Sequence, residues 1–426
     1  MNRRVVVTGM GVITSNAHGL DAFESALRNG TSGIRHFSEL AELKFACQVG
    51  GKPQGIPELS KKYFTESDLI AMNEVMIYSG IASIDAWRDA GLTVPAFDSN
   101  EVFWDTGAII GAGLGGMDTI VNKVYPAVSQ GKVKRMGSTT VEQSMSSCAS
   151  GKVSGFLALG NQVSSNSSAC NTGTEAIIQA FYRIRSGLAE KMLAGGSEGS
   201  SPYMWGGFDA MRVINPNSND APEKASRPMS ASAGGFIPGS GCGILFLESL
   251  ESAQKRNARI YAEILGGAIN CGGHRMGGSM TAPNHVGVQR CIREAVAMSK
   301  IQPSEIDYIN GHLTATFADP HEIANWSKAL ELVPDKFPAI NSTKSMIGHC
   351  LGAAGSVEAV ATILQLTKDF VHPSINCEDL HAGIEPFAKS VVRETREMKL
   401  NIAAKASFGF GDVNGAMILR RWPHDN

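Results

Sequence analysis

Apolar runs rich in β-branched residues recur along the chain, at Arg4–Thr8, Ala108–Gly111, Cys242–Leu247, Ile260–Leu265, Ile306–Asn310, Ala339–Asn341, Ala403–Ser407 and Ala416–Leu419. Most are bounded by glycine or polar turns and show no alternation, the pattern of strands buried on both faces. Between them apolar positions return at helical spacing, over Asn73–Ala90, Val286–Met298 and Glu322–Leu332. Strands alternating with helices predict crossover units and an α/β fold with mixed, largely parallel sheets. Two segments echo one another: each is a strand, a glycine- and serine-rich turn, then a helix. The first runs through "NSSACNTGTEAI" with Gly187 placed to end its helix, the second through "INSTKSMIGHCLGAAG". The echo predicts an internal duplication, with one half over residues 1–258 and the other over 259–426.

Composition narrows the function. The chain has 426 residues, 43% hydrophobic and 18% charged, with a net charge of −2. That supports a large core and argues against general binding to nucleic acid or anionic membranes. No stretch reaches the length of a membrane helix, and the three valines before Thr8 are too short for a signal sequence. A cytoplasmic location follows as the expectation. The eight cysteines form no CxxC pair and fit neither a zinc site nor a disulfide framework.

Cys170 closes a run of small polar residues where a helix begins. Taken alone it reads first as a small core hydrophobe, and only second as a nucleophile whose thiol the helix dipole acidifies. His312, in "INGHLTAT", follows a strand end, and "STKSMIGHCLGAAG" puts Lys344 and His349 in a loop that opens a helix. Strand ends are where α/β folds gather catalytic groups. The glycine-rich "GAGLGGMD" lacks the acidic residue a dinucleotide site needs some 20 residues on, so it does not read as one. The basic run "GKVKR" reads as a solvated face or as a docking point for an acidic partner.

Together "SSAC", "GHLTAT" and "STKSMIGHCLGAAG" resemble the active-site motifs of the β-ketoacyl-[acyl-carrier-protein] synthases, condensing enzymes of the thiolase fold. The resemblance runs from "RVVVTGMGVIT" to "SFGF" and includes "SGIRHF", "EKASRP", "YAEILG" and "PSIN"; two histidines mark the elongating type. It implies a duplicated five-layer α-β-α-β-α architecture with two mixed sheets. It also implies an acyltransferase that condenses an acyl chain on Cys170 with malonyl-acyl-carrier protein in fatty acid synthesis. The alternatives are a specialised synthase of polyene or polyketide type, or one subunit of a heterodimeric ketosynthase. A silent chain-length subunit typically lacks the cysteine, and thiolases proper carry a second catalytic cysteine near the C-terminus, for which the C-terminal loop offers none.

The resemblance gives His312 and His349 as donors to an enolate oxygen, and the backbone N–H groups of Cys170 and Phe410 as the oxyanion site. It makes Lys344 an electrostatic partner linked to Glu322. Thr314 and Thr316 would bind the phosphopantetheine arm, Phe236 and Phe410 would flank the acyl pocket with Phe410 as gate, and Leu114, with "GAGLGGMD" a tight turn, would form a pocket wall. It implies no cofactor or metal, acyl carrier protein as partner, and a homodimer, with pairing to a homologue as the alternative. Three stretches depart from the family: Leu313 replaces a glycine in a shortened "HLTATFADPHE", Gly234 stands in "GGF", and "FGFGDVN" puts Asp412 and Val413 where glycine and threonine are usual. The last change predicts a stiffer loop around Phe410 and an unusual acyl preference.

Overall fold

A computed structural model describes residues 3–422. The strands are β1 (Val5–Ile13), β2 (Thr106–Gly111), β3 (Val163–Ser164), β4 (Lys191–Glu198), β5 (Gly241–Ser249), β6 (Ala262–Cys271), β7 (Tyr308–Asn310), β8 (Ala339–Asn341), β9 (Ile402–Gly409) and β10 (Val413–Arg421). They form one continuous ladder in the order β8-β7-β9-β10-β6-β1-β5-β4-β2-β3. Read from either end inward, the pairing is the same: two parallel steps, then two antiparallel ones. The halves meet where β1 runs antiparallel to β6, Val5 opposite Ile264. This mirrored order is the internal duplication. The sheets are mixed as expected, but parallel pairs occupy only the flanks and the centre is antiparallel; β9 and β10, for one, are joined by a turn of three residues, far too short for the crossover that parallel pairing requires.

Six helices build the other layers: α1 (Glu74–Asp89), α2 (Cys148–Leu157), α3 (Thr172–Arg185), α4 (His285–Ser299), α5 (Asp319–Leu330) and α6 (Ala354–Lys368). Helices α3 and α6 lie between the two half-sheets and touch strands of both, while α1 and α2 cover one outer face and α4 and α5 the other. The result is the five-layer arrangement. The central helices are made for it: every residue from Ala354 to Leu366 is buried, and a helix apolar on nearly all sides has no face to give to water. Full burial of a side chain such as Val357, Ile363 or Leu366 is worth about 1.5–3 kcal/mol.

Glycine at the second helical position lets α3 and α6 cross closely. A Cβ on Gly355 would stand 2.1 Å from Thr174 Oγ1, and one on Gly173 would stand 2.8 Å from the Ser356 nitrogen. The two turns that precede these helices therefore approach each other at the middle of the molecule. They are the turns that carry Cys170 and His349.

Candidate active site

Cys170 sits in a turn fastened to the first residue of α3. Thr172 Oγ1 accepts the Ser168 N–H at 2.9 Å and donates to the Ala169 carbonyl at 2.7 Å. Asn166 Nδ2 donates to the Thr172 carbonyl at 2.9 Å. Ala169 is held at φ 50°, a left-handed conformation that costs a non-glycine residue about 1–2 kcal/mol and aims the next side chain.

His312 follows β7, and its loop is clamped from below by the first turn of α5. Both Glu322 oxygens accept backbone N–H groups, from His312 and Leu313, each at 2.7 Å. Asp319 accepts those of Thr314 at 2.8 Å and Ala315 at 3.1 Å. Leu313, the residue in place of glycine, turns its side chain into the core and is fully buried. The shortened loop is thus fixed by two carboxylates, and Thr314 and Thr316 face each other across it with their hydroxyls 3.0 Å apart.

His349 lies before α6. Its Nδ1 accepts the Leu351 N–H at 3.2 Å, which places the proton of the neutral ring on Nε2. The two imidazoles stand edge to face, centroids 5.3 Å apart, and Phe236 packs on His349 at the same separation. The Cys170 sulfur and a ring nitrogen of each histidine lie within 4.8 Å of one another. These three side chains, with Phe236, Thr314, Thr316, Glu322 and Phe410, line one cavity of about 460 Å³. Sequence reasoning passed over Phe208, whose ring meets both Phe236 and Phe410, and Phe408, which abuts His312. Phe408 was visible only as part of "SFGF".

Burial governs the electrostatics. It holds both histidines well below the usual imidazole range, aided by the charges of Lys344 and Lys405, so both are neutral donors. The Cys170 thiol is pushed up to about 11 by burial; the Lys344 charge and the N–H groups of Phe410 and Cys170 pull the other way. The expected acidification by the helix dipole is therefore overturned. Cys170 stands ahead of α3 rather than on its first turn, and the loss of water around the sulfur outweighs the dipole.

Two further expectations are corrected. Lys344 is fully buried and pairs with Glu358 of α6, not with Glu322, whose two oxygens are taken by the His312 loop. Leu114 is 41% exposed and does not line the Cys170 cavity. Its N–H and that of Gly113 are held by Glu198 at the end of β4, and its side chain borders a separate small cleft beside Asn73 and Met204. "GAGLGGMD" is the tight turn that was expected.

The loop after Phe410 carries an unexpected tie. Asp412 is buried at φ 59°, yet its carboxylate bonds distant backbone rather than its own turn, accepting the N–H of Asn284 at 2.8 Å and of His274 at 3.1 Å. The segment it holds, through Gly277, Thr281, Ala282 and Pro283, forms one wall of the cavity.

Comparison with known proteins agrees with this geometry. The family model of the β-ketoacyl synthase N-terminal domain matches residues 2–253, and that of the C-terminal domain matches residues 261–378. The chain is 36% identical to 3-oxoacyl-[acyl-carrier-protein] synthase II, chloroplastic, of Arabidopsis thaliana, over 98% of this chain and 75% of that protein. It is 34% identical to 3-oxoacyl-[acyl-carrier-protein] synthase 1 of Haemophilus influenzae, over 99% of both. Among solved structures it superposes with a TM-score of 0.86 at 27% identity on a chain of a type II PKS acyl-carrier protein in complex with its ketosynthase bound to the hexaketide, covering 99% of this chain and 100% of that one.

Proposed function

This chain belongs to the β-ketoacyl synthase family, and we propose that it extends acyl chains by decarboxylating condensation with malonyl-acyl-carrier protein, giving a 3-oxoacyl-acyl-carrier protein. The observation that carries the proposal is the cluster of Cys170, His312 and His349 on one wall of an aromatic-lined cavity, with the His349 proton fixed on Nε2.

In the first half-reaction the Cys170 sulfur attacks the acyl thioester. The carbon–sulfur bond to the carrier's arm breaks, and the departing thiolate takes the proton that Cys170 loses. The oxyanion formed on the way is met by the N–H groups of Cys170 and Phe410, both of which favour negative charge at the sulfur. In the second, malonyl-carrier loses carbon dioxide, and the enolate oxygen accepts hydrogen bonds from the two neutral imidazoles. A neutral imidazole is too weak an acid to hand its proton over, so it stabilises the enolate by hydrogen bonding without quenching it, and burial serves the step by keeping both rings neutral. The enolate carbon then attacks the acyl-Cys170 carbonyl, and the sulfur leaves and recovers a proton. Thr314 and Thr316 stand at the cavity where the phosphopantetheine arm would lie. No redox or metal cofactor enters this chemistry, since the substrates arrive already activated as thioesters.

The exposed Lys132, Lys134 and Arg135 suit an acidic carrier protein. Exposed Ile120, Tyr125, Val128 and Val141, on the stretch that follows Leu114, suit a dimer contact, with a second copy or with a homologue. No helix among the described residues is long and apolar enough to cross a membrane. The reading as a specialised synthase draws on the Asp412 tie, which restrains the gate loop.

The test is intact-mass measurement after incubation with acyl-carrier proteins of graded chain length. One acyl adduct is expected on the wild type and none on Cys170→Ala. An adduct that persists on the alanine variant refutes the assignment of the nucleophile.

A further inference from the structure

Strand β9 carries a single charge, Lys405, within "NIAAKASFGF". Its side chain is fully buried, which for a lysine is rare unless it is paired. Its Nζ lies 2.9 Å from Glu358 Oε2, while Lys344 holds Oε1 of the same carboxylate. All three groups are sealed from water, so two lysine amines face one carboxylate in the interior; burial and the Lys344 charge hold Lys405 below the usual lysine range, against the pull of Glu358 toward the charged form. The other charged or titratable groups that face Lys405 are Glu322 from α5 and the imidazoles of His312 and His349. Burial pushes the Glu322 carboxyl up to about 7, so it offsets the surplus only in part.

Lys405 is also joined to the nucleophile's helix. Nζ is 3.2 Å from Ser407 Oγ, and that hydroxyl is 2.8 Å from Thr174 Oγ1 in the first turn of α3. The surplus charge thus lies beneath both the histidine pair and the turn of Cys170.

An uncompensated buried cation is costly in a resting protein and is retained where an anion forms nearby. We propose that Lys405 is an electrostatic positioning residue, holding through the Lys344–Glu358–Lys405 bridge a positive charge that is balanced only when the Cys170 thiolate or the substrate oxyanions form. This rests on the condensing reaction proposed above. Lys405 touches no substrate; its field acts through the bridge and through the two histidines, whose basicity it lowers together with Lys344. At the sulfur itself Lys344 favours the thiolate and Glu198 opposes it, so Lys405 acts on Cys170 through its hold on the Lys344–Glu358 pair.

The discriminating variants are Lys405→Gln and Lys405→Met. Glutamine keeps a donor for Glu358 and Ser407 without the charge, and methionine removes both. The pH dependence of Cys170 alkylation by iodoacetamide, which needs no carrier protein, is measured beside carbon dioxide release from malonyl-acyl-carrier protein. Alkylation rates that rise later in pH by about one unit, with decarboxylation slowed about tenfold, are expected in both variants. If Lys405 serves only to satisfy Glu358, glutamine restores both readouts to wild type, and the proposal is overturned. A folded methionine variant with the wild-type alkylation profile overturns it equally. A shifted alkylation profile in a protein whose wild type releases no carbon dioxide would keep the electrostatic role and refute the condensing reaction instead.

Discussion

Replacing Asp412 with glycine tests whether the gate loop and the cavity wall move as one body. The carboxylate is buried in a nest of glycines: a Cβ on Gly272 would lie 2.2 Å from Oδ2, and one on Gly278 2.5 Å from it. It accepts two backbone N–H groups, and the Asp412 carbonyl accepts that of Gly272 at 2.9 Å. Asn284, held by one of these bonds, caps α4 through its side chain, accepting the Val286 N–H at 2.8 Å. Gly411 adds a bond to the Met280 carbonyl at 2.8 Å. Deleting the carboxylate strands two N–H groups, each worth about 1–3 kcal/mol when buried without a partner. Relief of the left-handed strain at φ 59° returns about 1 kcal/mol. The net loosening of residues 272–284 is then about 1–5 kcal/mol, a rise in local opening from roughly 5-fold to several thousand-fold.

Hydrogen exchange reads that number directly, as lost protection confined to 272–284 and 410–414 with the core strands unchanged. Condensation rates across short, long and unsaturated acyl chains read its consequence, in Asp412→Gly alone and combined with Val413→Thr. We expect a broadened chain profile, with the largest gains for the chains the wild type uses least. If protection falls and the profile stays put, the tie is structural and does not set specificity. If protection does not change, the carboxylate is not what holds the wall, and the reasoning from its hydrogen bonds fails.

Two more predictions concern the clamped histidines. His349→Ala removes one enolate donor and should slow decarboxylation by about 10²–10³-fold while Cys170 is still acylated, as seen by carbon dioxide release beside intact mass; normal release would return His349 to a packing role. Burial raises the Glu322 carboxyl to about 7, above its unfolded value of about 4.3, so the folded protein holds that proton in between. Its contribution to stability is therefore present in acid and lost as pH rises toward 7. Glu322→Gln should make the change in unfolding free energy between pH 5 and pH 7 more favourable to the higher pH than in the wild type, measured by urea titration; an unaltered difference contradicts the raised pKa.

What could be read from the sequence, and what could not, divides along physical lines. Strands β1, β5 and β10 announced themselves because a β-branched run buried on both faces has no other use. β4, "KMLAGGSE", did not, since its paired glycines imitate a turn; they are there because a Cβ on Gly195 would meet the Gly243 carbonyl at 2.0 Å in the neighbouring strand. The cluster of Cys170, His312 and His349 was legible because motif spacing survives in the chain. Which carboxylate faces Lys344 was not: the resemblance pointed to Glu322, and only the packing of α6 brings Glu358 to the amine. Yet a signal existed. Glu358 stands alone in the apolar "GSVEAVATIL" and Lys405 alone in "NIAAKASFGF". A lone charge in a segment that must be buried needs a buried partner of opposite sign. Two lysines and one glutamate in such segments leave one cation over, which Glu322 offsets only in part. The thiol of Cys170 follows the same logic in reverse: a sequence shows the helix that would acidify it, but not the burial that pushes the thiol the other way.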